Sequence, residues 1–454
     1  MMRSLRLKIS VSGIRGVVGE TLTPQLLARF SQAYGTYVGP GKILVGRDTR
    51  VSGPMVADAV FAGLLATGSA PIDVGIAPIP AIQYRAAMRH DVVGAIAITA
   101  SHNPAEWNAL KLLSREGLFL SGLQAAELLD IYNQGTFRRV SGVDVPKAER
   151  DDAAVSSHLA AVLAKVDVAA IQAAHLHVAA DCVNGAGAVA TPILLSQLGC
   201  TLSRLNCEPT GDFVRPPEPL PKNLGALREI VAHGDARLGF AQDADADRLA
   251  VVDERGRALE GDVMLAVLID LVLRRQAGPV VVNLSTSNLI EHVAARHGVP
   301  VFRSPVGEAN VVSGMRQHSA VVGGEGSGGL IYPVVHSCRD SFLGMALLLD
   351  YVAGGGVIAD LVDALPPRVR LAHKMPMPGA SARRAVHLLH QCITDAEIDL
   401  RDGFKATYPQ GWIHVRPSNT EPILRVHVEA ETEAEAAALY RLVADELAVL
   451  GGGK

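Results

Sequence analysis

Cysteine is scarce in this chain: Cys182, Cys200, Cys207, Cys338 and Cys392 are the full set, and no two have Cys-x-x-C spacing. An odd number at irregular intervals argues against a disulfide framework and a zinc site, and fits a reducing cytoplasm. Aromatic residues are few as well, 4% of a sequence that is 49% hydrophobic and contains 44 glycines. That balance suits helix-and-sheet layers joined by many tight turns. Excess positive charge is also missing. With 42 Lys and Arg against 46 Asp and Glu, the net charge of −4 offers no overall field to collect nucleic acid or an anionic membrane. An anionic ligand must therefore be held by local cations. Long hydrophobic runs are absent: Asp270 interrupts the stretch 263–273 and Asp350 the stretch 342–352, so both read as buried helices, too short to cross a bilayer. The first 13 residues carry Arg3, Arg6 and Lys8 but no apolar core, so no secretory signal is expected.

A length of 454 residues predicts two to four domains. Thr23-Pro24 is a helix start, and Leu26, Leu27, Phe30, Ala33 and Tyr34 follow at helical spacing. Strand signals at 42–45, 72–74 and 92–98 alternate with a helix over 55–66, which predicts α/β construction. The polar stretch 140–152 reads as a linker, strands return at 175–180, 238–240 and 248–253, and a boundary falls near 257. Strands at 280–284, 301–303 and 320–322 make a third unit, and the Pro366-Pro367 break precedes a last one with strands at 413–415 and 423–428. Three similar α/β units hint at an internal repeat without residue-level self-similarity.

Four loops carry chemistry. Thr99-Ala100-Ser101-His102-Asn103-Pro104 follows a buried strand and exposes a hydroxyl, as a nucleophile or phosphoryl carrier requires; alone it reads equally as a strand exit. Asp243-Ala244-Asp245-Ala246-Asp247-Arg248 places alternate carboxylates where a loop can turn them onto one hard cation, magnesium or calcium rather than zinc. Arg248 stands where an EF-hand needs glycine, so that motif does not apply. The segment 323–329 contributes five glycines with Glu325 and Ser327, which suit vicinal sugar hydroxyls, and His336 follows. Arg416-Pro417-Ser418-Asn419-Thr420-Glu421-Pro422, with Arg425, joins two strands as a phosphate cradle.

In this order and over essentially the whole chain, the four loops resemble the α-D-phosphohexomutase family. The resemblance implies three related α/β domains and a smaller C-terminal α+β domain around a central cleft, here 1–152, 153–256, 257–366 and 367–454. It makes Ser101 the phosphoserine, a metal ligand together with Asp243, Asp245 and Asp247, and Mg2+ the ion. It assigns Glu325 and Ser327 to the sugar, and Arg416, Ser418, Asn419, Thr420 and Arg425 to phosphate. Ser12-Gly13-Ile14-Arg15-Gly16 also matches and brings Arg15 to the cleft, while Lys111 falls at the family's general acid/base. Lys111, His336 and Arg15 are the base candidates in that order, and His102 and Arg248 are assigned to phosphate or to steadying the metal loop.

The implied activity interconverts hexose or hexosamine 6-phosphate and 1-phosphate through a bisphosphate, with a sugar bisphosphate priming Ser101. The enzyme would act on a small sugar phosphate, without nucleic acid or membrane, as a monomer or homodimer. Gly328-Gly329 departs from the Gly-His of many members. Asn419 is similar to phosphomannomutase/phosphoglucomutase members, whereas the glycine-rich loop, Val335-His336 and the opening Ser-Gly-Ile-Arg-Gly favour glucosamine phosphate, which is the substrate expected here. Two readings outside that activity are a phosphatase with Asp243 as nucleophile and a catalytically silent sugar-phosphate sensor.

Overall fold

A computed structural model describes residues 7–10, 13–377, 379–418 and 423–451. Several of its helices start where a side chain supplies a cap. Thr23 accepts a hydrogen bond from the Leu26 amide at 3.3 Å, Pro24 occupies the first turn, and the helix Pro24–Val38 buries Leu27, Phe30, Ala33 and Tyr34. Ser121 and Gln124 form a reciprocal capping box for Gly122–Gln134. The two interrupted apolar runs are the helices Gly261–Arg275 and Ser341–Ala353, both largely buried, and no helix among the described residues is long and apolar enough to cross a membrane.

Four sheets organise the described residues. In the first, Ala70–Ile76, Lys42–Arg47 and Val92–Ile98 lie parallel in that spatial order, and Trp107–Ser114 closes antiparallel onto the last. In the second, Thr201–Leu205, His177–Asp181 and Leu238–Gln242 are parallel, and Leu249–Val252 is antiparallel. In the third, Val301–Ser304, Val280–Asn283 and Val322–Glu325 are followed by antiparallel Gly329–Ile331. Numbered along the chain within each unit, these strands share the spatial order 2-1-3-4. The repeat hinted at by the alternation of elements is therefore a repeat of topology. The first sheet adds Lys8–Ser10 and Gly13–Val17 at one edge, and at the other edge Glu149–Arg150, so part of the expected linker returns to pair with Ile72 and Asp73.

One continuous apolar core runs through the second and third units, from Leu159 and Phe240 to Phe342 and Leu347. The fourth unit is a five-stranded antiparallel sheet with its own core, in which Phe404, Ile413, Val426 and Val428 lie against Leu389, Leu439 and Val443. Its other face is polar and rests on the third unit: Lys405 Nζ donates to the Leu284 carbonyl at 2.8 Å, Arg370 Nη2 to that of Ser285 at 2.7 Å, and the Asn288 amide to Glu429 Oε1 at 2.8 Å. All five cysteines are free thiols.

His414 sits in this polar interface, fully buried, with Nε2 donating to the Asp402 carbonyl at 2.7 Å and Nδ1 facing Ser285 Oγ at 2.8 Å. A carbonyl accepts only, so Nε2 carries a proton, and burial lowers the pKa to about 4, which keeps the ring neutral near neutral pH. The unfolded chain takes up that proton near about pH 6.5. Between those values the unfolded state binds a proton that the folded state refuses, so this residue's contribution to stability is constant above about 6.5 and is lost as pH falls toward 4. Melting temperatures measured from pH 8 to 4 should fall less steeply below 6.5 in His414→Gln than in the wild type; equal slopes would show that His414 does not titrate as described.

Candidate active site

The connection between third and fourth strands of each like unit carries one of the sequence's chemical loops: residues 99–106, 243–248 and 326–328. Asp243, Asp245 and Asp247 are buried to 1% exposure or less, and one carboxylate oxygen from each lies within 4.8 Å of the others. The loop is held from three sides by main-chain bonds: the Ile79 amide of the first unit donates to the Asp245 carbonyl at 3.0 Å, Ala186 to Ala244 at 2.8 Å, and Leu249 to Gly328 of the third unit at 3.1 Å. Ser341 Oγ donates to the Ala246 carbonyl at 2.7 Å, where the backbone turns left-handed with φ of 55°.

Ser101 stands over this cluster. Its Oγ donates to Asp243 Oδ2 at 3.0 Å, with His102 Nδ1 at 3.4 Å on the other side. Its φ of 50° is a strained conformation for a residue with a Cβ, costing about 1–3 kcal/mol, and the surrounding bonds impose it. Those bonds come chiefly from Arg50, a residue the sequence reading passed over. Its guanidinium donates to the carbonyls of Ser101 at 2.8 Å, Asn103 at 2.7 Å and Trp107 at 2.9 Å, and pairs with Asp48 Oδ2 at 3.0 Å. The signal that could have found it is the run Arg47-Asp48-Thr49-Arg50 at the exit of a buried strand.

Asp245 and Asp247 each have one oxygen engaged by this chain, whereas Asp243 has both, its Oδ1 accepting from the Arg248 amide at 3.4 Å. Lys111 Nζ reaches Asp245 Oδ2 at 2.7 Å and Thr99 Oγ1 reaches the same oxygen at 3.2 Å, while Arg339 Nη2 reaches Asp247 Oδ2 at 2.6 Å. Asp245 Oδ1 and Asp247 Oδ1 are buried with no hydrogen-bond partner among the described residues. Burial, then the charges of Asp245 and Asp247, push the Asp243 carboxyl well above the usual range. Burial also acts on Asp245, but the Lys111 ammonium outweighs it and holds that carboxyl below the usual range. Two orphaned hard oxygens beside a carboxylate crowded by like charge fit a divalent cation of the magnesium or calcium type.

The remaining candidates fall in three groups. Arg15 Nη1 donates to Asn103 Oδ1 at 2.6 Å, and Arg248 lies 3.8 Å from Asp243 Oδ2 and 3.2 Å from Glu218 Oε1, so both border the Ser101 loop. Burial, then Arg248 and Arg15, lowers the His102 pKa well below the usual range, so its ring is neutral. Glu325 is buried, accepting from Asn283 Nδ2 at 2.9 Å and the Gly307 amide at 3.0 Å, whereas Ser327 is exposed at the loop tip. His336 bonds to the Gly117 carbonyl at 3.4 Å, at the turn beyond Trp107–Ser114, and so engages main chain away from Ser101. In the fourth sheet Arg416, Arg425 and Lys374 are neighbours across three strands, and the Ser418 amide donates to Ile423 at 2.9 Å. Asn419 and Thr420 lie outside the described residues.

Three like units that present a hydroxyl, a carboxylate cluster and a polar glycine-rich loop to one another define an enzyme for phosphoryl transfer. The phosphoglucomutase/phosphomannomutase alpha/beta/alpha domains I, II and III match residues 6–139, 156–256 and 260–369, and the C-terminal domain matches 368–446. A "Phosphoglucomutase/phosphomannomutase" of Thermococcus kodakarensis is 37% identical over 93% of this chain and 94% of its own. A "Probable phosphoglucosamine mutase" of Methanopyrus kandleri is 36% identical over 94% of each. A crystal structure of a family protein from Burkholderia thailandensis superposes with a TM-score of 0.86 at 25% identity, covering 100% of this chain and 98% of that one. The chain belongs to the phosphoglucomutase/phosphomannomutase family and is a phosphohexomutase, an isomerase that works by phosphoryl transfer.

Arg50→Ala is expected to cost about 3–5 kcal/mol of stability, because it leaves Asp48 as an uncompensated buried charge and strips several carbonyls of their donor. Denaturant unfolding checks this; a loss below about 1 kcal/mol would mean that the Ser101 loop holds its shape without Arg50.

Proposed function

We propose that the chain interconverts glucosamine 6-phosphate and glucosamine 1-phosphate through a phosphorylated Ser101. The observation that carries the reading is the Ser101 hydroxyl, held in strained backbone 3.0 Å from Asp243 within a cluster of carboxylates whose outward oxygens are orphaned. Asp243, Asp245, Asp247 and Ser101 would hold magnesium, which when bound offsets charge on the transferring group. Phosphoserine gives its phosphoryl group to the free hydroxyl of the monophosphate, leaving a bisphosphate. That bisphosphate turns around, and the phosphate from its other end returns to Ser101. A sugar bisphosphate primes the resting serine.

This chain's residues do the binding and the proton handling. Lys111 comes first as the group that moves the proton at the sugar hydroxyl, supported by its place 2.7 Å from Asp245 and thus beside the phosphoserine. His336 is second, because its bond to Gly117 turns one ring nitrogen to main chain. Arg15 stays charged and serves better in holding phosphate, together with His102 and Arg248. Arg416, Ser418, Asn419, Thr420 and Arg425 take the second phosphate, with the neighbouring side chains of Arg416 and Arg425 supplying its countercharge. Glu325 and Ser327 select the sugar. The name of the Methanopyrus kandleri relative supports glucosamine phosphate, and that of the Thermococcus kodakarensis relative supports a second reading in which glucose and mannose phosphates are preferred.

Ser101→Ala should reduce turnover about 10⁴-fold or more with an unchanged circular dichroism spectrum. Activity near the wild-type level in that variant would end the phosphoserine mechanism. Chelation should abolish turnover and added Mg2+ restore it; full activity in chelator would remove the metal. Comparison of kcat/KM for the three sugar phosphates should favour glucosamine by about tenfold or more, and a reversed order would establish the second reading.

A further inference from the structure

Arg339 has no role in any reading of the site so far, yet it meets more of its acidic residues than any other described cation. It is 9% exposed, and its guanidinium spans three carboxylates from three segments: Asp247 Oδ2 at 2.6 Å, Glu308 Oε2 at 2.9 Å and Glu325 Oε2 at 3.2 Å. Glu308 is itself fixed from the first unit, where Gln83 Nε2 donates to its Oε1 at 2.9 Å. Burial, which would favour the neutral form of Arg339, is outweighed by Asp247, Glu325 and Glu308, so the arginine is firmly charged.

The path of this side chain explains a departure in the sequence. Gly329 pairs directly with Glu325 across the hairpin, and a Cβ added to it would lie 2.4 Å from Arg339 Cδ and 2.9 Å from Cγ. Those are middle atoms of a chain pinned at its far end, so they cannot move aside without breaking the fork. Gly328 is constrained separately, with φ of 86° and a hypothetical Cβ 2.3 Å from the Leu249 carbonyl. The paired glycines that end the loop therefore have distinct physical causes.

We propose that Arg339 is a positioning residue that couples the sugar-facing Glu325 to the metal ligand Asp247, and that residue 329 is glycine so that its side chain can pass. This rests on the reading of Glu325 and Asp247 given above. Arg339 fixes one oxygen of Asp247 and thereby aims the other, which is the orphaned Oδ1, at the cation. The same guanidinium sets the rotamer of Glu325, so a disturbance at either carboxylate is felt at the other.

The test uses the full-length chain with Arg339→Ala, Arg339→Lys, Gly329→Ala and the Arg339→Ala/Gly329→Ala double variant. Mn2+ binding is followed by calorimetry without substrate, and KM and kcat are measured with the preferred hexose phosphate. Arg339→Ala and Gly329→Ala should each weaken Mn2+ binding about tenfold or more and raise KM. The double variant should be no worse than Arg339→Ala alone, because the alanine at 329 then has no arginine to displace. Lysine restores charge at Asp247 but cannot fork, so Mn2+ affinity should recover while KM stays high. Gly329→Ala keeps every charge and remains decisive if Arg339→Ala does not fold. Wild-type Mn2+ affinity and KM in folded Gly329→Ala, or additive losses in the double variant, would overturn the proposal. A wild-type protein that binds Mn2+ but isomerises no hexose phosphate would instead overturn the proposed function and leave the Arg339–Asp247 arm standing.

Discussion

Three carboxylates packed within 4.8 Å of one another are the constraint around which the rest of this structure is arranged. At that separation each like-charged pair repels by about 3–4 kcal/mol at an effective dielectric near 20. The sum is comparable to the whole stability of a typical domain, about 5–15 kcal/mol, so the cluster cannot exist without compensation. The chain supplies it from separate places: Lys111 against Asp245, Arg339 against Asp247, and Ser101 with Arg248 against Asp243. What remains without a partner among the described residues is one oxygen each of Asp245 and Asp247, and a hard cation is the species such a remainder fits.

Those partners come from different units, and the shared 2-1-3-4 topology explains how they meet. In each unit the third strand is parallel and central, the fourth turns back antiparallel, and the loop between them stands at one end of the sheet. Three copies of one topology bring three such loops together, each with different residues. The first carries the hydroxyl, the second the carboxylates, the third a glycine-rich polar turn. The second and third units share one apolar core, and their two loops are joined directly by the Leu249–Gly328 bond. The fourth unit stands apart in its energetics. Its apolar core is its own, and it meets the third unit through hydrogen bonds and ion pairs such as Arg370–Asp262, with the buried Trp412 ring packed against the cations of that face. Polar contacts of this kind exchange readily for water and contribute little net stability, so they suit a surface that orients a domain without locking it.

Much of this was legible beforehand, for identifiable reasons. Ser101, the aspartate loop and the polar segment 416–422 were readable because each places a compact set of unusual residue types at the end of a strand, a signal confined to a few consecutive positions. The strands Val92–Ile98 and Leu238–Gln242 were readable because their apolar runs are short and bounded by turns. Thr201–Leu205, with its exposed edge and polar residues, was not, and Glu149–Arg150 looked like linker because a two-residue edge strand leaves no pattern. Arg50 and Arg339 were missed because their partners are carbonyls and carboxylates distant in sequence, up to 92 residues away for Arg339 and Asp247. Arg50 had only the charged run 47–50 at a strand exit as a local signal, and for Arg339 no local pattern distinguishes it from an arginine on the surface.

The sequence alone determined the order of α/β units, the identity of the chemical loops and the hardness of the cation they would select, because each depends on residues adjacent in the chain. It also carried the Gly328-Gly329 departure, but without a cause. Tertiary structure decided which oxygens of Asp245 and Asp247 are spent on the protein and which are left over, placed His336 on a main-chain carbonyl, and threaded Arg339 over Gly329 to join two loops. Those outcomes depend on distances between units, and charge balance in a buried site is set by where side chains from different units come to rest.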